Sequence, residues 1–283
     1  MNKHLIVTAD DFGRALPVNE AVEDAHRNGI LTAASLMAGG DAFADAVSRA
    51  QRLPSLAVGL HVTLVDGRPV LPPSVIPDLV EADGRFTRRL VALGVRIYLD
   101  SAVRRQVAAE LRAQFDAYCA TGLPLSHVDA HHHYHLHPTV FDLLVPLAKE
   151  YGAPAIRIPW EPPGKQGLAL LGALFHWRRV RRMRRKLAEA GLVANDRVFG
   201  MNHSGDMDAG TMAAILAVLP DGLSELYCHP ATRRWSDRPM PPHYRCVDEF
   251  RALTDRRTIE AVARAGATLT TYAAVAADRR RAA

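Results

Sequence analysis

Short apolar runs alternate with amphipathic stretches along the whole chain. His4 to Ala9 reads as a buried strand. Pro17 then opens a helix whose apolar positions Val18, Ala21, Val22 and Ala25 recur at i, i+3, i+4 and i+7 before Gly29 stops it. Leu31 to Met37 is a second strand, and Phe43, Ala46, Val47 and Ala50 form the stripe of the helix after it. Leu56 to Val62 is a third strand. Pro69 to Leu99 breaks the rhythm, begins Pro-rich, and reads as an insertion or lid. Val103, Val107, Leu111 and Phe115 then mark a long helix. A fourth strand, Leu125 to His131, leads to a helix opened by Pro138, where the missing proline N–H costs little, with Phe141, Leu144, Val145 and Ala148 on its buried side. Ala155 to Ile158 is a fifth strand and Arg197 to Met201 a sixth, with the irregular stretch Trp160 to Asn195 between them. Met212, Ile215, Leu216 and Leu219 predict a helix, Ser224 to Cys228 a seventh strand, Val247 to Ala265 a helix, and Ala267 to Thr271 a last strand.

Repeated strand–helix units imply a parallel sheet, because parallel strands need crossover connections. After the first strand stands Asp10-Asp11-Phe12-Gly13 and no GxGxxG, which disfavours a dinucleotide site. Seven or eight such units predict an α/β fold, a closed or nearly closed (β/α) barrel in one domain; an open doubly wound sheet is the second choice. A length of 283 residues with 48% hydrophobic composition suits one such barrel over residues 1–283, with insertions at about 66–99 and 160–195. The apolar run before Asp10 is too short for a signal peptide or a membrane span. Cys119, Cys228 and Cys246 show no CxxC spacing, so three unpaired thiols in a reducing cytoplasm are expected.

The densest chemistry lies in Leu125 to Pro138, LSHVDAHHHYHLHP, which places His127, Asp129, His131, His132, His133, His135 and His137 at the end of a strand. Imidazole is the commonest protein metal ligand, and carboxylates often steady ligating histidines. Extended backbone would set His127, Asp129, His131 and His133 on one face. In a barrel, functional groups collect at the C-terminal strand ends. Those ends carry Asp10 and Asp11, then His61, then Asp129 and His131, then His229. A solvated or structural role suits any one of them; six at equivalent positions suit a metal-dependent hydrolase. One Asp and two His leave an open coordination position for water, and the second aspartate of the adjacent pair is free to act as general base.

Four motifs in order, TADDFG (Thr8 to Gly13), GLHVTL (Gly59 to Leu64), HVDAHHHYHLHP and CHPA (Cys228 to Ala231), make the sequence resemble the YdjC/ChbG family of carbohydrate deacetylases over nearly its whole length. The resemblance implies a distorted, TIM-like (β/α) barrel. It also implies hydrolysis of a linear amide with a divalent metal ion, Mg or Zn. Asp11, His61 and His131 would be the metal ligands, Asp10 the catalytic base, His229 the acid for the leaving amine, and Asp129 a partner behind a ligating histidine. Within the family, the segments VNEAVEDAHRNGILTAASLM, GRPVLPP (Gly67 to Pro73) and FHWRRVRRMRRKLAEAGLVANDRVFGMN are most similar to the hopanoid-biosynthesis branch, HpnK. That branch implies an N-acetylglucosaminyl hopanoid as substrate. Chitooligosaccharide deacetylases lack the arginine-rich stretch, which ranks a soluble chitin fragment second. His132 departs from the branch, where Lys commonly stands.

Net charge is +5, yet seven of the Lys and Arg fall in His176 to Lys186, HWRRVRRMRRK, and three more in Arg279 to Arg281, expected to be a frayed tail. Leu168 to Ala190 reads as a basic amphipathic helix with Val180, Met183 and Leu187 on its apolar side. Such a helix either packs on the barrel or lies on an anionic membrane surface. Nucleic acid is disfavoured because no recognition motif accompanies the arginines. The expected location is cytoplasmic, peripheral to the inner membrane. A metal-dependent phosphoesterase or glycosidase is a further alternative, although glycosidase carboxylates flank the scissile bond at a distance and are not adjacent.

Overall fold

The computed structural model describes residues 3–161, 170–235 and 243–282. Its first half runs β1 (Lys3–Phe12), α1 (Leu16–Asn28), β2 (Ala33–Leu36), α2 (Phe43–Gln51), β3 (Ala57–Val62), α3 (Leu90–Leu99), α4 (Ser101–Cys119), β4 (Val128–Ala130) and α5 (Pro138–Glu150). The second half runs α6 (Leu170–Ala190), β5 (Arg197–Phe199), α7 (Ala209–Ala217), β6 (Gly222–Cys228), α8 (Cys246–Thr254), α9 (Arg256–Arg264), β7 (Ala267–Leu269) and α10 (Tyr272–Ala282). All strand pairs are parallel, in the order β4-β3-β2-β1-β6-β5. Single bridges from Val128 to Ile156 and from Ala155 to Val193 carry the sheet on from β4 toward β5. The Val198 N–H to the Trp160 carbonyl at 2.8 Å continues that seam. The expected single-domain, distorted TIM-like barrel is therefore present, with its weakest pairing between β4 and β5.

The strand expected at Ala155 to Ile158 is reduced to bridges. Asn195 explains part of this: its side chain bonds the N–H and carbonyl of Ile158, taking the place of a neighbouring strand. The helix expected over Val247 to Ala265 is two helices. Asp255 breaks it and caps the second by accepting from the Arg257 N–H. Arg279 to Arg281 are not a frayed tail but the last turn of α10. That helix plugs one end of the barrel. Ile6, Ala33 and Leu223 from β1, β2 and β6, with the bridged pair Ala155 and Val193, pack on Tyr272 and Ala276. Alanine at Ala33 and Ala155 leaves room for the tyrosine ring.

The interior above this plug is polar. Ser35, His127, Asp129, Arg157, Glu225 and Tyr272 are all buried. Gly59 in β3 belongs to that packing, since a Cβ there would lie 2.4 Å from the His127 ring. Gly59→Ala is expected to force His127 aside and cost about 1–3 kcal/mol, read as a lower urea midpoint at unchanged m-value. An unchanged midpoint would show that His127 yields freely.

Candidate active site

At its C-terminal end β1 departs from regular strand. The register with β2 shifts between Ala9 and Phe12, and Asp11 adopts φ +64°, a left-handed conformation costly for a residue with a Cβ. On an even strand Asp10 and Asp11 would face opposite sides. Here both line one cavity of about 630 Å³ while keeping different partners. Asp66, His132 and His133 also have positive φ, and with Asp11 they are the non-glycine residues of this kind among the described residues; all four line this cavity. Strain of this sort collects where side chains must be aimed at a ligand.

The histidine run does not continue as a strand. β4 ends at Ala130, and His131 to Leu136 turns in a short 3-10 segment through left-handed His132 and His133. The expected single face of His127, Asp129, His131 and His133 is thereby broken, because strand alternation ends at Ala130. The histidines divide by task. His135 Nε2 bonds the Arg157 carbonyl at 2.9 Å and His137 Nε2 the Gly94 carbonyl at 3.0 Å, so both are tied to backbone. Burial pushes His135 down to about 4, so it is neutral and its N–H donates. His127 lies beneath the cavity with Nε2 3.1 Å from Ser35 Oγ. His131, His132 and His133 line the cavity, where His133 Nε2 meets the Tyr227 hydroxyl at 3.0 Å.

Asp11, His61 and His131 converge. Asp11 Oδ1 is 2.9 Å from His131 Nδ1 and 3.3 Å from His61 Nε2. Yet this buried oxygen makes no properly oriented hydrogen bond. One buried acceptor left unsatisfied between two ring nitrogens is the arrangement of ligand atoms aimed at a common point, and Asp with two His is a donor set for a divalent first-row ion or magnesium. The other ring nitrogen of His61, Nδ1, is 2.8 Å from Asp129 Oδ1, the carboxylate–histidine pairing that orients a ligating imidazole. Burial pushes His131 down to about 4, which keeps it neutral and ligand-competent. Burial also works against charge on His61, but the Asp129 and Asp10 carboxylates outweigh it and hold that imidazole up at about 10. A proton on His61 thus offsets negative charge that a bound cation would offset instead. Burial disfavours the Asp11 carboxylate, and His131 and Arg14 together outweigh it, holding Asp11 well below the usual range.

Asp10 is gripped by Arg157. The fork donates from Nη1 to Oδ2 at 2.7 Å and from Nη2 to Oδ1 at 2.9 Å. The same guanidinium reaches Asp129 Oδ2 at 2.7 Å and both oxygens of Glu225 at 2.8 and 2.9 Å. Glu225 is held further by the hydroxyls of Thr8 and Tyr272, each at 2.6 Å. Burial raises the Asp10 carboxyl above its ordinary value, with Arg157 opposing. Each Asp10 oxygen retains a lone pair for another donor. His229 lies across the same cavity, beside Tyr227 and Tyr244, with its Nδ1 buried and unpartnered.

Every residue singled out in the sequence for metal or proton transfer is therefore at or directly behind this cavity: Asp10, Asp11, His61, His131 and His229 on its wall, Asp129 behind His61. Arg157 was missed, as were Glu225, Arg14, Asp66 and Tyr227. A signal existed for two of them: Arg157 in AIRIP and Glu225 in LSELYC are charges inside apolar strand runs. Trp235 also lines the cavity, whereas Trp160 stacks on His176.

Residues 4–264 match the family described as YdjC-like protein. A carbohydrate deacetylase of Geobacillus stearothermophilus is 32% identical over 279 residues, covering 96% of this chain and 98% of that protein. A carbohydrate deacetylase of Brevibacillus brevis is 42% identical over 156 residues, covering 55% of this chain and 59% of that protein, less than two thirds of its length. The crystal structure of an Enterococcus faecalis protein superposes with a TM-score of 0.77 over 97% of this chain and 99% of that one. At 23% identity, that is a likeness of fold.

Proposed function

Because this chain belongs to the YdjC-like family, we propose that it is a metal-dependent N-deacetylase that hydrolyses the acetamide of an N-acetylated amino sugar. The observation that carries this reading is the unsatisfied Asp11 Oδ1 between His61 and His131, in one cavity with Asp10 and His229. A divalent ion held by Asp11, His61 and His131 would supply Lewis acidity toward the acetamide carbonyl and acidify a water. Asp10, held in place by the Arg157 fork and raised by burial, takes the proton of the attacking water. Asp129 keeps His61 oriented through Nδ1, leaving Nε2 toward Asp11. His229 gives a proton to the departing nitrogen, so acetate and a free amine result.

The finer reading is an N-acetylglucosaminyl hopanoid, as in the HpnK branch, supported by the GRPVLPP and arginine-rich segments. Residues of the insertion at 66–99, Asp66, Arg88 and Leu90, wall the cavity and fit a role in shaping that specificity. In α6 the apolar side is buried through Val180, Met183 and Leu187, so this helix packs on the barrel. Its outer side carries exposed Trp177 with Arg181 over the ring at 4.6 Å, a pair suited to the anionic surface of the inner membrane. No helix among the described residues is long and apolar enough to cross a membrane. Residues 162–169, at the start of the arginine-rich insertion, lie outside the described residues. The second reading is a soluble chitooligosaccharide, favoured by the hydrogen-bonding side chains on the cavity wall, such as Arg14, Asp66, Arg88 and Ser204, with Trp235 and Tyr244 beside them.

Acetate release from an N-acetylglucosaminyl hopanoid and from N,N′-diacetylchitobiose, with metal stripped and restored, tests this. Restored metal is expected to restore release. Release from chitobiose alone moves the substrate to soluble sugars; release of free N-acetylglucosamine in place of acetate sinks the deacetylase reading.

A further inference from the structure

A second concavity, of about 550 Å³, adjoins the catalytic cavity and shares Leu90, His132 and His133 with it. Its floor is α3, LVALGVRIYL, which is apolar on nearly every side. Leu93 and Ile97 face inward and are buried. On the outer side Val91 is 82% exposed, Val95 52%, Tyr98 64% and Leu99 74%. A helix apolar all round is ordinarily covered on both sides, and this one is not. Among the described residues lining the groove there is one charged side chain, Arg179, and no carboxylate. The Tyr134 hydroxyl is taken by the Leu90 carbonyl at 2.8 Å and His137 Nε2 by the Gly94 carbonyl at 3.0 Å, so these rings bring mostly carbon surface to the groove. The same two bonds fasten α3 to the turn that carries His131, His132 and His133. The groove is thereby held in fixed register with the catalytic residues.

We propose that this groove is a second subsite, which takes an apolar group borne by the same sugar whose acetamide lies in the catalytic cavity. This rests on the deacetylase reading and adds to it the place and the residues that would recognise an amphiphilic substrate. Continuity decides the occupant: one molecule lying across Leu90, His132 and His133 has its polar end at Asp10 and Asp11 and its apolar body along Val91, Val95 and Tyr98. A volume of this size holds a drug-sized apolar body.

The test uses the metal-loaded full chain and alkyl N-acetylglucosaminides from methyl to octyl, each below its micelle-forming concentration, with N,N′-diacetylchitobiose alongside. kcat/KM is expected to climb with chain length, by up to about fourfold per methylene. Val95→Glu and Leu99→Glu, at exposed positions, are expected to flatten that climb while leaving chitobiose turnover and the unfolding midpoint unchanged. A flat series in the native protein overturns the proposal, as does a climb that both variants leave intact. Loss on chitobiose as well shows that the groove is not a separate subsite. Variants that split a dimer in sedimentation without changing the climb assign the face to a second copy of the chain, and loss seen only with vesicle-embedded substrate assigns it to a bilayer. If no member of the series releases acetate, the deacetylase reading has failed. Calorimetric binding of the octyl against the methyl glycoside then decides the groove by itself: tighter octyl binding, lost in Val95→Glu, supports it, and equal binding overturns it.

Discussion

Asp10→Asn is expected to keep its metal and lose about 10²–10⁴-fold in kcat, whereas Asp11→Asn is expected to lose both metal and turnover. The two residues are adjacent, yet their surroundings differ completely. Asp11 Oδ1 lies between two ring nitrogens with its own hydrogen-bonding capacity unmet, so an amide there removes the one anionic ligand of the triad. Asn tolerates the left-handed backbone that Asp11 adopts, so the β1 bulge is preserved and the loss reports on ligation. Asp10 has no place among those three ligand atoms; its oxygens face Arg157 and the cavity. An Asn at position 10 sets an NH₂ against one guanidinium donor, costing about 1–3 kcal/mol of stability. Metal content by plasma mass spectrometry and kcat are therefore measured well below the variant's unfolding midpoint. Near-normal turnover of Asp10→Asn with full metal would remove it as the base, and metal retained by Asp11→Asn would remove it as a ligand.

Replacing Arg157 with Met is expected to destabilise the protein by about 3–5 kcal/mol and to reduce activity together with it. This guanidinium is fully buried and serves Asp10, Asp129 and Glu225 at once. Its removal leaves three carboxylates without a counterion, Asp129 and Glu225 fully buried and Asp10 at the cavity wall. Each must then either remain charged without a partner or take up a proton, and a protonated Asp129 or Asp10 no longer serves its partner. Arg157→Lys restores the charge but not the fork, since an ammonium cannot present two parallel donors to Asp10 and still reach Glu225. It is expected to recover part of the stability and less of the turnover. Urea unfolding followed by circular dichroism measures the first and acetate release the second. A Met variant as stable as the parent would mean that these carboxylates are neutral in the folded protein and that Arg157 does not hold them.

The family resemblance rests on residues that the sequence displays in short contiguous motifs, and those are the residues the structure brings to the cavity wall. Asp10, His61, His131 and His229 were legible because each sits at a strand end, where the next few residues already show the strand stopping. Arg157 was visible only as a charge in an apolar run. Its meaning depends on partners 147 and 68 positions away, at Asp10 and Glu225. The apolar helix α3 was hidden for a different reason: it carries Val and Leu on its exposed side as well as Leu and Ile on its buried side, so no polar face marks which side packs.

By itself the sequence determined the alternation of strands and helices and the placing of acid and imidazole at strand ends, because those depend on residues within one or two turns of each other. The tertiary structure alone decided that Asp10 and Asp11 share a cavity, that Asp11 Oδ1 meets two imidazoles, and that one arginine holds three carboxylates. These follow from a left-handed residue in a bulged strand and from barrel closure, which brings together side chains far apart in the chain and excludes the water that would otherwise separate their charges.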